Sequence, residues 1–239
     1  MHWYKTNFYR HVCQMKAPAP RRVLELFSGT GSIGKWCRAN GFDEVVSVDI
    51  DPKSNATHVC DVMNFDYKIY PPGYFEIAWG SPPCVHFSCA RTTGPPHDLE
   101  GADRLVLKTI EIITYLKPRH WFIESPATGL LKTRPYMQMY NSVRAAYCMY
   151  SSENDSFLWR KLTQFWTNRV ELLANPPLVC NGACEGIRTP VPGAPVGRKT
   201  HAISFGGQRG GKRFYLVSNL TLDRKHKIPQ KLIEKLLVG

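Results

Sequence analysis

Short apolar runs of strand character recur through the first half of the chain, separated by stretches of helical spacing. RRVLELF (21–27) is a β-rich apolar run that ends in SGTGSIG (28–34), and a helical pattern follows through Lys35–Asn40, with Gly41 as its stop. EVVSVDID (44–51) predicts a second strand ending on acids. THVCDVMNF (57–65) predicts a weaker third, YFEIAWG (74–80) a fourth and HWFIESP (120–126) a fifth. Between the last two, LEGADRLVLKTIEIITYLK (99–117) places Leu105, Val106, Ile110, Ile113 and Leu116 close to helical spacing. Strands alternating with helices predict an α/β fold with a doubly wound sheet.

The pattern divides the rest of the chain. Residues 1–20 read as an irregular arm closed by KAPAP, ahead of a main domain that runs to 169. Residues 170–224 are rich in Gly, Pro and Arg with few apolar runs, and predict a separate, small, loop-rich lobe. Residues 225–239 end in IPQKLIEKLLVG, where Leu232, Ile233, Leu236 and Leu237 share one side of a short helix expected to dock back on the main domain.

Composition narrows the partners. The 239 residues are 43% hydrophobic, enough for a real core, and Lys plus Arg total 31 against 19 acids, a formal +12. Such an excess points to a polyanion, with nucleic acid the first candidate. No apolar run is long enough for a membrane span, and the first residues lack the apolar core of a signal peptide. Eight cysteines scattered over the chain fit reduced, intracellular thiols better than a disulfide scaffold.

Two groups of residues carry chemistry. In LELFSGTGSIG a strand, a glycine turn and a helix start bring backbone amides toward a ligand. The spacing is not that of a dinucleotide fingerprint, and no phosphate-loop Lys-Ser/Thr is present. Asp49, about twenty residues on, can accept both hydroxyls of a ribose. Asp61 could take an adenine amino group or be a surface turn acid. Glu25 could face an ammonium or be a polar strand residue. A ribose acid without phosphate features suggests S-adenosylmethionine, held by Phe27, Ser28, Gly29, Thr30, Gly31, Ser32, Asp49, Ile50, Asp61, Val62 and Pro82.

The second group lies beyond the carboxyl ends of the fourth and fifth strands, where open α/β sheets bind ligands. WGSPPC turns through two prolines and presents Cys84, whose loop they stiffen, while Glu124 ends the fifth strand. A thiol there reads as a nucleophile rather than a small buried apolar residue. Cys89, nearby, lacks the proline frame.

LELFSGTGS, VDID, WGSPPC, FIESP and WRKLTQFWTN follow one another in this order. With them residues 21–170 resemble a cytosine-C5 DNA methyltransferase of the compact viral and phage type, with a fainter match in IPQKLIEKLL. The resemblance implies a Rossmann-like S-adenosylmethionine-dependent sheet and a transient bond between Cys84 and C6 of a flipped cytosine. Glu124 would protonate N3, and Arg160 would support the base carbonyl. It implies DNA as partner, with Ser88, Arg91 and Lys161 on phosphates and residues 170–224 as a target-recognition lobe carrying Arg209, Lys212 and Arg213. A viral origin would place the protein in a host nucleus or cytoplasm.

Two features depart from the family: Glu124-Ser125-Pro126 stands where Glu-Asn-Val is usual, and no late Gly-Asn-Ser-Val segment is found. An RNA cytosine methyltransferase and a non-catalytic DNA-binding relative are the alternative readings. In the lobe, Cys180 and Cys184 (C-x3-C) with His201 make three ligands where zinc wants four. No other Cys or His lies between Cys184 and His201, so no metal is expected.

Overall fold

The computed structural model describes residues 19–88, 95–152, 161–182, 184, 201 and 226–239. The apolar runs become a seven-stranded sheet, with β1 (Arg22–Leu26), β2 (Glu44–Asp49), β3 (His58–Val59), β4 (Ile77–Gly80), β5 (His120–Pro126), β6 (Ser142–Ala146) and β7 (Leu162–Thr167) in the order β3-β2-β1-β4-β5-β7-β6. β3, β2, β1, β4 and β5 pair in parallel, and β7 runs antiparallel between β5 and β6. The central strands read as near-continuous apolar runs because both faces are covered. On β1, Val23, Leu24 and Leu26 are fully buried.

One face carries Val23, Ile77, Trp79 and Phe122 under α1 (Ser32–Ala39), and Trp79 stacks on Phe122 with centroids 5.2 Å apart. The opposite face, with Leu24, Leu26, Ala78 and Ile123, packs against Val106, Ile112, Ile113 and Leu116 of α2 (Leu99–Leu116). Asp98 caps α2 by accepting from the Gly101 amide at 2.8 Å, and Lys117 in the left-handed region ends it. A Cβ on Gly80 would lie 2.7 Å from Thr109 Cγ2, so only glycine lets α2 sit this close to the end of β4.

The third strand is shorter than 57–65. Asp61 accepts from the Met63 amide at 2.9 Å and turns the chain into a 3-10 turn, Val62–Asn64, after two strand residues. Beyond β5, the four-residue α3 (Pro135–Gln138) leads into β6, and α4 (Glu171–Ala174) follows β7. The last helix, α5 (Gln230–Leu237), buries Leu232, Ile233, Leu236 and Leu237 in the same cluster as α1. The Arg169 guanidinium donates to the carbonyls of Leu236 at 2.8 Å and Val238 at 2.7 Å, closing the end of α5 onto the segment after β7.

Candidate active site

The glycine turn follows β1 through three left-handed residues, Phe27 (φ 57°), Gly29 (φ 46°) and Gly31 (φ 66°). For Phe27 this conformation is strained, and such strain collects where a chain is shaped for a ligand. The turn is tied to β2 by the Ser28 amide on the Val48 carbonyl at 3.1 Å. Asp49 accepts from the Gly29 amide at 2.7 Å and from the Asp51 amide at 2.8 Å, so its carboxylate braces the turn from the end of β2. Ile50 beside it is 69% exposed, an apolar surface open to solvent. Val62 and Pro82 are buried nearby in sequence to Asp61 and Cys84.

Glu25 does not face the turn's open side. Its carboxylate accepts from the amides of Ile33 at 3.1 Å and Gly34 at 2.9 Å, satisfying the start of α1. A Cβ on Gly34 would meet Val45 Cγ1 at 2.8 Å and Glu25 Oε2 at 2.9 Å, which fixes that position as glycine. Of the two readings of Glu25, the strand residue is the one realised, and a role toward an ammonium is not. Burial pushes this carboxyl up from 4.5 to about 7, against the opposing pull of the two amides. The folded chain therefore holds a proton that the unfolded chain releases between those values. Its contribution to stability is full below pH 4.5, falls as pH rises toward 7, and is lost above it. Urea unfolding of the native chain and of Glu25→Gln across pH 4–8 checks this: the stability difference between them should shrink over that window, and a constant difference would contradict it.

Fit to an adenosyl methyl donor is tested by what the turn leaves open. Ser28 Oγ is buried without a hydrogen-bond partner. Gly29 has no heavy atom closer than 4.0 Å to where a Cβ would stand. Asp49 and Ile50 put a carboxylate and an apolar face side by side at the strand end. Thr30 and Ser32 hydroxyls lie 2.9 Å apart, and the Ile228 amide donates to Ser32 Oγ at 3.2 Å. The residues ahead of α5 thus border the turn, in a chain without the late Gly-Asn-Ser-Val segment. These groups can take a ligand that offers hydroxyl donors to the carboxylate and an apolar face to Ile50.

The SPPC turn is fixed at its root. The Trp79 indole donates to Ser81 Oγ at 2.9 Å, and the Ser81 amide to the Leu26 carbonyl at 3.3 Å. Cys84 is half-buried. Past it, the Phe87 amide turns back to the Cys84 carbonyl at 3.0 Å, the Phe87 ring is buried, and the Phe87 carbonyl accepts from Leu130 at 2.8 Å. The thiol therefore stands on a short segment pinned at both ends. At the far side of the loop the His86 Nδ1 accepts from the Asp98 amide at 3.0 Å.

β4 and β5 are neighbours, with Gly80 paired to Ile123, so Glu124 emerges one residue past the point where β4 ends. Its side chain is nearly buried, and Oε1 has no hydrogen-bond partner. Lys161 Nζ lies 3.6 Å from that oxygen, 3.5 Å from Tyr147 Oη and 4.6 Å from the Tyr147 ring centroid. Burial disfavours the ammonium, but Tyr147 and Glu124 outweigh it and hold the Lys161 pKa above its ordinary value. The Cys84 thiol is pushed up, first by burial and then by the Glu124 charge, while Lys161 pulls it down. Thiol, carboxylate and ammonium form one electrostatic unit.

This corrects the placement of Lys161. A lysine ahead of a strand was expected on a DNA phosphate, but it is nearly buried, directed at Glu124. Neither Lys161 in this role nor Tyr147 was found from sequence. The signal lay in the pairing of β7 with β5, which sets Phe165 opposite Glu124, and in the Tyr147 amide on the Lys161 carbonyl at 3.0 Å. Ser88 is half-buried four residues past Cys84. Cys89, Arg91, Arg160, Arg209, Lys212 and Arg213 lie outside the described residues.

Comparisons with known proteins identify the family. The C-5 cytosine-specific DNA methylase family matches residues 21–138, a span that holds the turn, Cys84 and Glu124. A protein of Frog virus 3 (isolate Goorha), named "Probable DNA (cytosine-5)-methyltransferase", is 31% identical over 232 residues, covering 90% of this chain and 98% of its own. Among solved structures, a prophage-encoded E. coli protein described as a DNA modification methyltransferase aligns with TM-score 0.46 and 17% identity. That alignment covers 62% of this chain and 46% of the E. coli chain, less than half of its length. The chain belongs to the C-5 cytosine-specific DNA methylase family, the DNA (cytosine-5)-methyltransferases.

Proposed function

We propose that the chain transfers the methyl group of S-adenosylmethionine to C5 of a cytosine extruded from DNA, through a transient bond between Cys84 Sγ and C6. The observation that carries this reading is Glu124 Oε1: buried, without a hydrogen-bond partner, on the strand beside the one that presents Cys84. A buried carboxylate oxygen left open is costly unless a ligand completes it. Cytosine N3 completes it once the carboxyl carries a proton, which the acid then donates to N3.

Cytosine C5 is a poor nucleophile, and neither it nor C6 can be reached inside a duplex, so the base must leave the stack. The Cys84 thiol passes its proton to the Glu124 carboxylate as its sulfur bonds to C6. The electron pair of the C5–C6 double bond becomes available at C5, and N3 takes up a proton held by Glu124, so no charge is stranded on the ring. In the resting site burial, and after it the Glu124 charge, push the thiol pKa up. The proton that Glu124 takes up and shares with N3 cancels that charge and leaves Lys161 to favour the thiolate as the base arrives. When bound, the donor supplies an electrophilic methyl group on a sulfonium. C5 takes the methyl group; N3 then returns its proton to Glu124, C5 gives its proton to water, and the S–C6 electron pair leaves with Cys84 as the aromatic ring returns.

The turn and Asp49 hold the donor in this reading. Asp49→Ala removes the acceptor for the Gly29 and Asp51 amides, and donor affinity should fall by about tenfold or more, roughly the worth of one or two charged hydrogen bonds. Calorimetric titration checks it, with DNA affinity measured in parallel expected to be unchanged; undiminished donor affinity would remove the role. The excess of basic residues, and the Gly- and Arg-rich run at 170–224, support a lobe that contacts DNA. Tritium transfer from labelled S-adenosylmethionine to matched DNA and RNA pools tests the whole proposal. Label in DNA cytosine is expected. Label in RNA alone would favour the RNA reading, and label in neither would remove the donor.

A further inference from the structure

The structure points to a second site, independent of the first. We propose that Cys148, Cys180, Cys184 and His201 bind one structural zinc ion. Their four ligand atoms all lie within 4.8 Å of one another. His201 Nε2 is 2.9 Å from Cys184 Sγ, 3.2 Å from Cys148 Sγ and 3.5 Å from Cys180 Sγ.

Hydrogen bonding does not account for this geometry. A ring nitrogen carries either one proton or one in-plane lone pair, so it can serve one sulfur well and not three. A tetrahedral zinc accounts for all of it. With Zn–S of about 2.3 Å and Zn–N of about 2.0 Å, neighbouring ligand atoms stand about 3.5–3.8 Å apart. The three N–S separations of 2.9, 3.2 and 3.5 Å reach or approach the tetrahedral value from below, the shortest by about 0.6 Å, so a small outward shift of the imidazole admits the ion. Three thiolates and an imidazole are a soft set, which disfavours magnesium and calcium. Four protein ligands leave no open position, which marks a structural site rather than a catalytic one.

The fourth ligand was out of sight in the sequence because it is not in the lobe. Cys148 lies in the 3-10 turn Tyr147–Tyr150 that follows β6, on the main sheet. Cys148 and Cys184 are buried together with Ala146, and Met149, Leu162 and Cys180 pack against them. The start of the lobe already lies along this edge, with the Ala146 amide on the Leu178 carbonyl at 2.9 Å and the Leu178 amide on Tyr150 Oη at 2.6 Å. A small Gly- and Pro-rich element with few apolar runs in its sequence gains most from such a staple. The ion would clip the start and the middle of the lobe to the sheet. Its ligand Cys148 is the neighbour of Tyr147, which holds Lys161 against Glu124, so the clip also backs the catalytic carboxylate.

Elemental analysis of the full chain, purified under reducing conditions, is expected to give about one zinc per chain, falling to near zero in Cys148→Ser and in Cys180→Ser. His201→Cys should keep the metal as a four-thiolate site. Cys84→Ala should keep it too, which separates this proposal from the catalytic one. Because a serine variant can fail to fold, the native chain is also titrated with a mercurial: zinc should be released in step with three protected thiols, and cobalt(II) replacing it should give the intense visible bands of tetrahedral thiolate coordination. Zinc well below one per chain in the native protein, or full zinc in Cys148→Ser, would overturn the proposal. So would a native chain with a Cys180–Cys184 disulfide and no metal.

Discussion

Cys84→Ala is expected to lower methyl transfer by at least about four orders of magnitude while leaving donor and DNA affinity near native. Without sulfur no bond to C6 forms, and C5 has no other source of the electron pair it needs. Losing a nucleophile removes the covalent path outright rather than weakening one contact, which is why the effect should approach the background rate. Folding should survive, since the side chain is half-buried and the turn is held by Trp79, Ser81 and Phe87 rather than by the thiol. Single-turnover transfer from labelled donor, with gel-shift and calorimetric binding on the same sample, gives the answer. A variant that turns over at an appreciable fraction of the native rate would place the nucleophile elsewhere, with Cys89 the nearest alternative.

Glu124→Gln is expected to move two observables in opposite directions. Methyl transfer should fall by roughly 10²–10⁴-fold, the range for removal of a general acid. Reactivity of the free thiol should rise. Burial is the larger reason that the Cys84 pKa is raised, and the variant leaves it in place, but the Glu124 charge is the second and the variant removes it. Lys161 remains and acts alone to favour the thiolate. The rate of Cys84 alkylation, followed by peptide mass spectrometry, rises with pH as the thiolate forms. In Glu124→Gln that rise should occur at lower pH than in the native chain. A variant that is both slower in transfer and slower in alkylation would mean that Glu124 supports the thiol by shape rather than by charge.

The sequence made some of this site legible and hid the rest, for physical reasons. β1, β2, β4 and β5 are largely buried and announce themselves as mainly apolar runs, so the positions of Cys84 and Glu124 at matching strand ends could be read directly. β6, SVRAA, could not. It carries an exposed Arg144 and two alanines, and its burial comes from packing rather than from its own hydrophobicity. Lys161 was misread because a lysine before a strand is usually solvated; the antiparallel insertion of β7 beside β5 turns it inward, and nothing local encodes that. Glu25 was ambiguous for the same reason, since only the position of α1 shows that its oxygens are spent on Ile33 and Gly34. Cys148 escaped notice because a ligand set is a matter of distance in space, and a search between Cys184 and His201 could not reach it.

The most direct test of the account is covalent capture. DNA carrying 5-fluorocytosine, mixed with the native chain and S-adenosylmethionine, should stall after methyl transfer, because fluorine cannot leave C5 as a proton does. The account predicts a denaturation-resistant complex whose digest shows the modified base on the peptide containing Cys84. A complex on any other residue, or DNA that is bound but never captured, would contradict it.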